Sequence, residues 1–249
     1  MNVGIIGCGL IGQKRARALG SARLVLCADT ALERAKALAA AHGAVATADW
    51  RQGVASPEVD IVIVATTNAM LATVAGAAAA AGKHVLVEKP VARNLAEMDG
   101  LIAAAHRGGA LVRAGYNHRY HPALQQARTI FQSGALGEPM FVRGRYGHGG
   151  RSGYEKEWRA DPAQSGGGEL IDQGVHLIDL ARWFLGEFPS VTGYMPTYFW
   201  NMKVEDNAFL LLKTRMEPAG HGGASGRYDA IRDKAFETAW ILSQVGITK

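Results

Sequence analysis

The stretch that most constrains the fold is residues 2–12. A short apolar run, Asn2-Val3-Gly4-Ile5-Ile6, leads at once into Gly7-Cys8-Gly9-Leu10-Ile11-Gly12 and then a helical stretch through Leu19. A buried strand, a glycine turn and a helix in that order admit few architectures. Gly7 permits the tight turn, Gly9 lets backbone N–H groups approach a pyrophosphate, and Gly12 lets the helix pack closely on the strand. The helix N-terminus offers unpaired N–H groups and roughly half a positive charge to phosphates. Gly7, Gly9, Leu10, Ile11 and Gly12 therefore read as a dinucleotide cradle.

Residues 23–28 read as a second strand ending in Asp29, about twenty residues beyond the start of the glycine motif. A carboxylate there accepts hydrogen bonds from both adenosine ribose hydroxyls and repels a 2′-phosphate, which favours NAD over NADP. The plain alternative is an Asp that caps a helix beginning near Ala31. An alanine-rich helix over 31–42 stops at Gly43, and 45–48 supplies a short third strand. Residues 60–65 form a fourth strand; its exit, Thr66-Thr67-Asn68, either contacts a cofactor or caps the helix over 69–81. The fifth strand, His84-Val85-Leu86-Val87, ends abruptly in Glu88, Lys89 and Pro90, a charged pair delivered to an open edge. A helix over 94–107 and a sixth strand over 110–114 complete the alternation. The class is α/β, with a doubly wound parallel Rossmann sheet over 1–120.

From Gly115 the texture changes to Gly-Tyr-Asn-His-Arg-Tyr-His-Pro, with a domain boundary near His121-Pro122. A helix to about Gln132, a strand over 140–146 and a polar glycine-rich loop over 147–168 come next. Tyr154, Trp158, Arg159 and residues 147–153 are read as shaping a pocket. Gly166-Gly167-Gly168 opens a helix over 169–185, on which Asp172, His176 and Asp179 share a face. A carboxylate beside an imidazole favours the charged ring and fixes its tautomer, which suits proton exchange with a hydroxyl. A surface ion pair would use the same spacing. No metal is expected, because a third ligand and a second His at ligand spacing are missing.

The net charge of +5 comes from scattered basic residues without a run or an aromatic platform, so no nucleic-acid partner is expected. The two cysteines, Cys8 and Cys27, fall in or beside strands and read as buried reduced thiols, which fits a cytoplasmic protein. No signal peptide is read at the N-terminus. Residues 61–82 carry no charge, but Thr66-Thr67-Asn68 divides them into strand and helix, so no membrane partner is expected.

The motifs quoted above, together with Ala81-Gly82-Lys83-His84-Val85-Leu86-Val87-Glu88-Lys89-Pro90 and Gly166-Gly167-Gly168-Glu169-Leu170-Ile171-Asp172-Gln173-Gly174-Val175-His176, resemble the Gfo/Idh/MocA family of nicotinamide-dependent oxidoreductases. The resemblance implies that Lys89, Asp172 and His176 line the substrate site, that Glu88 and Asn117 lie near the nicotinamide, and that the Lys89–Pro90 bond is cis. It implies NAD-dependent oxidation of a secondary alcohol of a sugar, polyol or sugar derivative, with His176 taking the hydroxyl proton and Lys89 steadying the oxygen. It implies a homo-oligomer, and a second α+β domain, mainly an antiparallel sheet, over 121–214. This domain is expected to be incomplete, because the resemblance is read as fading after Leu211-Leu212-Lys213; a tail over 215–249 has a glycine-rich linker and an amphipathic pattern of Ile231, Ala235, Ala239 and Trp240. At the fourth strand exit Thr67 replaces the family's common Pro, and Leu71 stands where a His is common. Other readings are a non-catalytic NAD- or sugar-binding protein, an inactive shortened homologue, and an NAD-dependent glycoside hydrolase.

Overall fold

A computed structural model describes residues 1–213 apart from 138, 140 and 148. The expected linker and helix of the tail lie outside the described residues. The first part comprises Asn2–Ile6 (β1), Leu10–Arg17 (α1), Arg23–Ala28 (β2), Leu32–Ala40 (α2), Val45–Thr47 (β3), Trp50–Ala55 (α3), Ile61–Val64 (β4), Asn68–Ala80 (α4), His84–Val87 (β5), Leu95–Gly108 (α5) and Val112–Ala114 (β6). The six strands form one sheet in the order β3-β2-β1-β4-β5-β6, and every neighbouring pair is parallel. Parallel neighbours need crossovers, and the intervening helices provide them. Order reverses at β1, so a crevice opens between the carboxyl ends of β1 and β4, where open α/β sheets bind ligands.

Both faces of the sheet are buried, which explains why its strands are almost wholly apolar. Val62 and Val64 join Leu71, Val74, Val85, Val87 and Leu101 in one layer, whereas Ile63 between them joins Val3, Ile5, Leu24, Ala35 and Leu38 in the other. That split is the two-residue period of a strand. Helices α4 and α5 cover the first face, and α1 and α2 the second. Cys8 and Cys27 are free and buried in the second layer, as expected. Helix α3 was not foreseen. It has only six residues, too few for a periodic pattern, and its Asp49 cap, accepting from the Arg51 N–H, is its clearest local signal.

The remainder comprises Pro122–Gln132 (α6), Pro162–Ser165 (α7), Val175–Leu185 (α8), Ser190–Tyr194 (β7) and Phe209–Lys213 (β8), the last two pairing antiparallel. Two expectations need correction. Residues 141–146, expected as part of a strand, have no regular structure, because no described strand lies beside them to complete a ladder; Met140 is not among the described residues. The helix expected over 169–185 is not uniform: Leu170–Gly174 is a π-helical turn, and only then does α8 begin. Among the described residues, no helix is long and apolar enough to cross a membrane.

Helices α4 and α5 approach closely at Gly108, where a Cβ would fall on the carbonyl oxygen of Ala79 and 3.2 Å from the Ala80 Cα. Gly100, on the same helix, has open space at that position. The two glycines should therefore respond oppositely to alanine. Gly100→Ala is expected to raise unfolding stability by about 0.5–1 kcal/mol through helix propensity, and Gly108→Ala to lower it by about 1–3 kcal/mol through overpacking. Urea unfolding midpoints at constant slope would measure both; equal effects of one sign would contradict this packing.

Candidate active site

The carboxyl edge of the sheet is set by main-chain bonds that carry each ladder one residue past its strand. Gly7 N–H donates to Ala28 O at 2.8 Å, Ala65 to Ile6 O at 2.8 Å, Glu88 to Val64 O at 2.9 Å and Gly115 to Val87 O at 2.7 Å. Gly7, Asp29, Ala65, Glu88 and Gly115 thus stand in register along one edge. Every sequence-predicted residue of the first part lies at or just beyond one of these positions.

At the glycine turn, Gly7 has φ +96°, and a Cβ there would meet the backbone of Ala65; a Cβ on Gly12 would meet the carbonyl of Gly7. Gly9 faces open space. Among the described residues no side chain caps α1, and its first turn holds no acidic residue, so the N–H groups around Leu10 and Ile11 can serve an external acceptor. A pyrophosphate fits such a cradle. Asp29 closes its flank: Oδ2 accepts from the Cys8 N–H and Oδ1 from the Ala31 N–H, both at 2.8 Å. Each carboxylate oxygen retains a further lone pair, so Asp29 both braces the turn and remains able to accept from a ribose hydroxyl.

At the exit of β4 the side-chain cap expected as one alternative is not formed. Thr67 is the N-cap residue of α4 without a side-chain cap bond, and the Thr66 hydroxyl donates to Thr67 O at 3.1 Å. Asn68 is buried, and its amide donates to Ser165 O at 2.9 Å, tying α4 to the loop before Gly166. Glu88 is held by Arg15, whose Nε lies 2.6 Å from Glu88 Oε1. Gly115 makes room for this pair, since a Cβ there would lie 3.1 Å from Glu88 Oε2 and 3.2 Å from Arg15 Nη2.

Lys89 reaches across to the second part. Its Nζ donates to Asp172 Oδ1 and to Asp172 O, both at 2.6 Å, leaving one N–H uncommitted by these bonds. The Lys89–Pro90 peptide bond is cis, in agreement with expectation. Asp172 Oδ2 accepts from Gln173 Nε2 at 3.1 Å and from Arg159 Nε at 3.3 Å. Burial opposes ionisation of Asp172, but the charges of Lys89 and Arg159 and the bonds from Lys89 and Gln173 outweigh it and hold the carboxyl below its ordinary value.

His176 is buried beside this group, and its Nδ1 has no hydrogen-bond partner among the described residues. The neighbouring carboxylate does favour the charged ring, as expected, but it is outweighed. Asp172 is committed to Lys89 and Arg159, while burial first, then the charges of His118 and Lys89, push His176 down to about 4 against the opposing pull of Asp172. Asp179, expected on the same face, is also buried but pairs with Arg119 through two bonds of 2.8 and 2.6 Å. The π-turn separates the surroundings of Asp172 from those of Asp179.

Asn117 lies at the rim, with Oδ1 3.1 Å from His118 Nδ1. Arg159 lies over the Trp158 ring at 4.5 Å and reaches Glu157 as well as Asp172. Tyr154 is buried and its hydroxyl donates to Glu169 Oε1 at 2.7 Å; burial, then this bond, pushes it upward. Tyr154, Arg159 and Asp172 line one small cavity with Asn68 and Ser165.

Several residues here escaped the sequence reading. His118 lies in the quoted Gly115–Pro122 run, but nothing in its spacing tied it to His176. Glu205 caps the turn that carries Asp172: Oε2 accepts from Gly168 N–H at 2.9 Å and Oε1 from Leu170 N–H at 3.2 Å. A Cβ on Gly168 would collide with the Glu205 backbone, which accounts for one member of the glycine triplet. Glu205 itself carries no local signal.

Comparison with known proteins matches residues 1–116 to the oxidoreductase family with an NAD-binding Rossmann fold, GFO_IDH_MocA, and residues 124–237 to a GFO/IDH/MocA C-terminal domain. Levoglucosan dehydrogenase of Pseudarthrobacter phenanthrenivorans is 31% identical over 220 residues, covering 80% of this chain and 54% of that one. Inositol 2-dehydrogenase 2 of Saccharopolyspora erythraea is 33% identical over 223 residues, covering 86% and 63%. A solved levoglucosan dehydrogenase complexed with NADH and levoglucosan superposes with a TM-score of 0.76 at 27% identity, covering 86% of this chain and 64% of that one. The chain thus spans a little over half to under two thirds of the length of these relatives.

The environment of His176 makes a pH prediction. Its folded value, about 4, lies below the ordinary 6.5, so the unfolded ring binds a proton first as pH falls. The stability owed to this group is complete above the unfolded value and is lost as pH drops toward 4, by on the order of 3 kcal/mol. Imidazole NMR should show His176 neutral at pH 5.5, and His176→Asn should flatten unfolding stability between pH 6.5 and 4.5. A ring that titrates near 6.5 would contradict the environment described.

Proposed function

The chain belongs to the GFO/IDH/MocA oxidoreductase family, and from that premise we propose that it carries out NAD-dependent oxidation of a secondary alcohol of a sugar, polyol or sugar derivative. The observation that carries the reading is the meeting of Lys89, Asp172 and a buried His176 beside the carboxyl edge that also presents the glycine cradle.

In this reading the N–H groups at the start of α1 hold a pyrophosphate beside Gly9, and Asp29 accepts from the adenosine ribose and disfavours a 2′-phosphate. Thr66, Thr67, Glu88, Lys89 and Asn117 complete the nicotinamide end, with Asn68 acting indirectly by fixing the loop at Ser165. Bound NAD supplies the hydride acceptor. His176 supplies an unprotonated ring nitrogen to take the hydroxyl proton. Lys89 has one N–H beyond its two bonds to Asp172, and directs it at the same oxygen, stabilising negative charge as it develops. Asp172 fixes the ammonium in that position. Trp158, Arg159 and Tyr154 shape the far side of the substrate site, and the 1–120 and 121–214 segments act as cofactor and substrate domains.

The proposal is tested by NADH formation against a panel of polyols and sugars. Lys89→Met should lower kcat about 10²–10³-fold and His176→Asn about 10²–10⁴-fold, with NAD binding retained in calorimetry for His176→Asn. A protein that binds NAD but reduces none with any member of the panel would instead be a binding protein; one that binds no dinucleotide would defeat the reading altogether.

A further inference from the structure

His176 is enclosed by rings. The His118 imidazole lies over it in a tilted stack, centroids 4.0 Å apart and planes inclined by 35°. Tyr116 and Tyr146 approach it edge-on at 6.2 and 5.9 Å. His118 is itself pinned in its own plane: Nδ1 lies 3.1 Å from Asn117 Oδ1 and Nε2 3.0 Å from the Tyr146 hydroxyl. With the amide oxygen accepting, His118 carries its proton on Nδ1, and Tyr146 donates to Nε2.

This geometry separates two roles. Stacked rings do not hydrogen-bond to each other, since imidazole lone pairs and N–H bonds lie in the ring plane, so His118 cannot pass a proton directly to His176. A stacked ring can instead fix the orientation of its neighbour and oppose a second positive charge at this distance. We infer that His118 is a positioning residue for His176: it covers one face of the ring, is held there by Asn117 and Tyr146, and couples the protonation of His176 to its own. The inference rests on the reading of His176 as the proton acceptor.

The groups that act on the pair come from four elements. Lys89 at the end of β5, Asp172 in the π-turn and His118 itself face His176. His121, Lys89 and Asp179 face His118, whose ring is held below its ordinary value chiefly by burial. His118 is neutral in this tautomer; once it takes a second proton, on Nε2 in place of the Tyr146 donor, its charge opposes one on His176, and a variant without the imidazole lacks that repulsion.

The experiment compares His118→Phe, which keeps a stacking ring without nitrogens, with His118→Ala, which removes the cover. Two readouts are taken: the NMR titration of the His176 ring in the free protein, and the pH profile of kcat/KM with NAD and whichever polyol is turned over. Both variants should move the His176 titration and the acid limb upward, by roughly half to one pH unit. The plateau kcat should fall further in His118→Ala than in His118→Phe, since only the latter holds the ring. Folded variants whose titration and acid limb coincide with the parent protein, with rates merely scaled, would overturn the inference and leave His118 a packing residue. Absence of NADH formation by the parent protein would defeat the oxidoreductase reading instead, and the NMR arm would still decide the coupling.

Discussion

The site depends on one ion pair whose two partners lie 83 residues apart in sequence, Lys89 at the end of β5 and Asp172 in the π-turn. The ammonium bonds both the carboxylate and the main-chain oxygen of Asp172, so it fixes the position of the backbone as well as the charge. Neither side chain is much exposed, 19% and 10% respectively. A pair so placed adds little net stability compared with apolar side chains of equal volume, but removing one partner leaves a stranded charge at a cost of about 3–5 kcal/mol. Its effect is therefore on geometry. It sets where the strand edge that offers the glycine cradle meets the helix that offers His176.

Other polar contacts brace the same joint from separate elements. Asn68 holds Ser165 O, Arg93 holds Ala163 O, and Arg119 grips Asp179 on α8. From the far side Glu205 caps the first N–H groups of the π-turn. The Leu170 side chain lies against Gly174 within that turn, its Cδ1 2.7 Å from where a Cβ would stand. An inserted residue rotates the helical segment before it relative to the segment after it, and such turns recur at functional sites. Here the insertion lets Asp172 turn to Lys89 while His176 and Asp179 keep the α-helical spacing of α8.

The parallel sheet was legible because its evidence is local. A two-residue period, a glycine turn and a helix stop each show within about a dozen residues, and the six expected strands stand near the expected places. The residues of the candidate site were legible by type and motif, but their partners were not. Asp172 and His176, four apart, suggested a mutual pair, and the sequence could not reveal that Lys89 and Arg159 had claimed the carboxylate. His118, Tyr146 and Glu205 were missed for the same reason: each matters through a contact across the fold, with no periodic signature of its own. Residues 141–146 show the opposite error. Their β-like composition predicted a strand, but a strand is completed by a neighbour, and composition does not supply one.

The commitments of Asp172 shape the charge across the whole site. Lys89, Asp172, Arg159, Glu157 and Arg151 alternate in sign along a chain of contacts, with Arg159 bridging Asp172 at 3.3 Å and Glu157 at 3.4 Å, and Arg151 reaching Glu157 at 2.7 Å. Such a chain ends in cations on both sides and carries one more positive than negative charge. An imidazolium at His176 would add to that excess in a buried place, and the neutral ring avoids it. The same arrangement keeps Asp172 ionised without leaving its charge free to recruit a proton for its neighbour. The carboxylate thus acts on His176 mainly by what it holds in place, and the basicity of that ring is set by burial, His118 and Lys89.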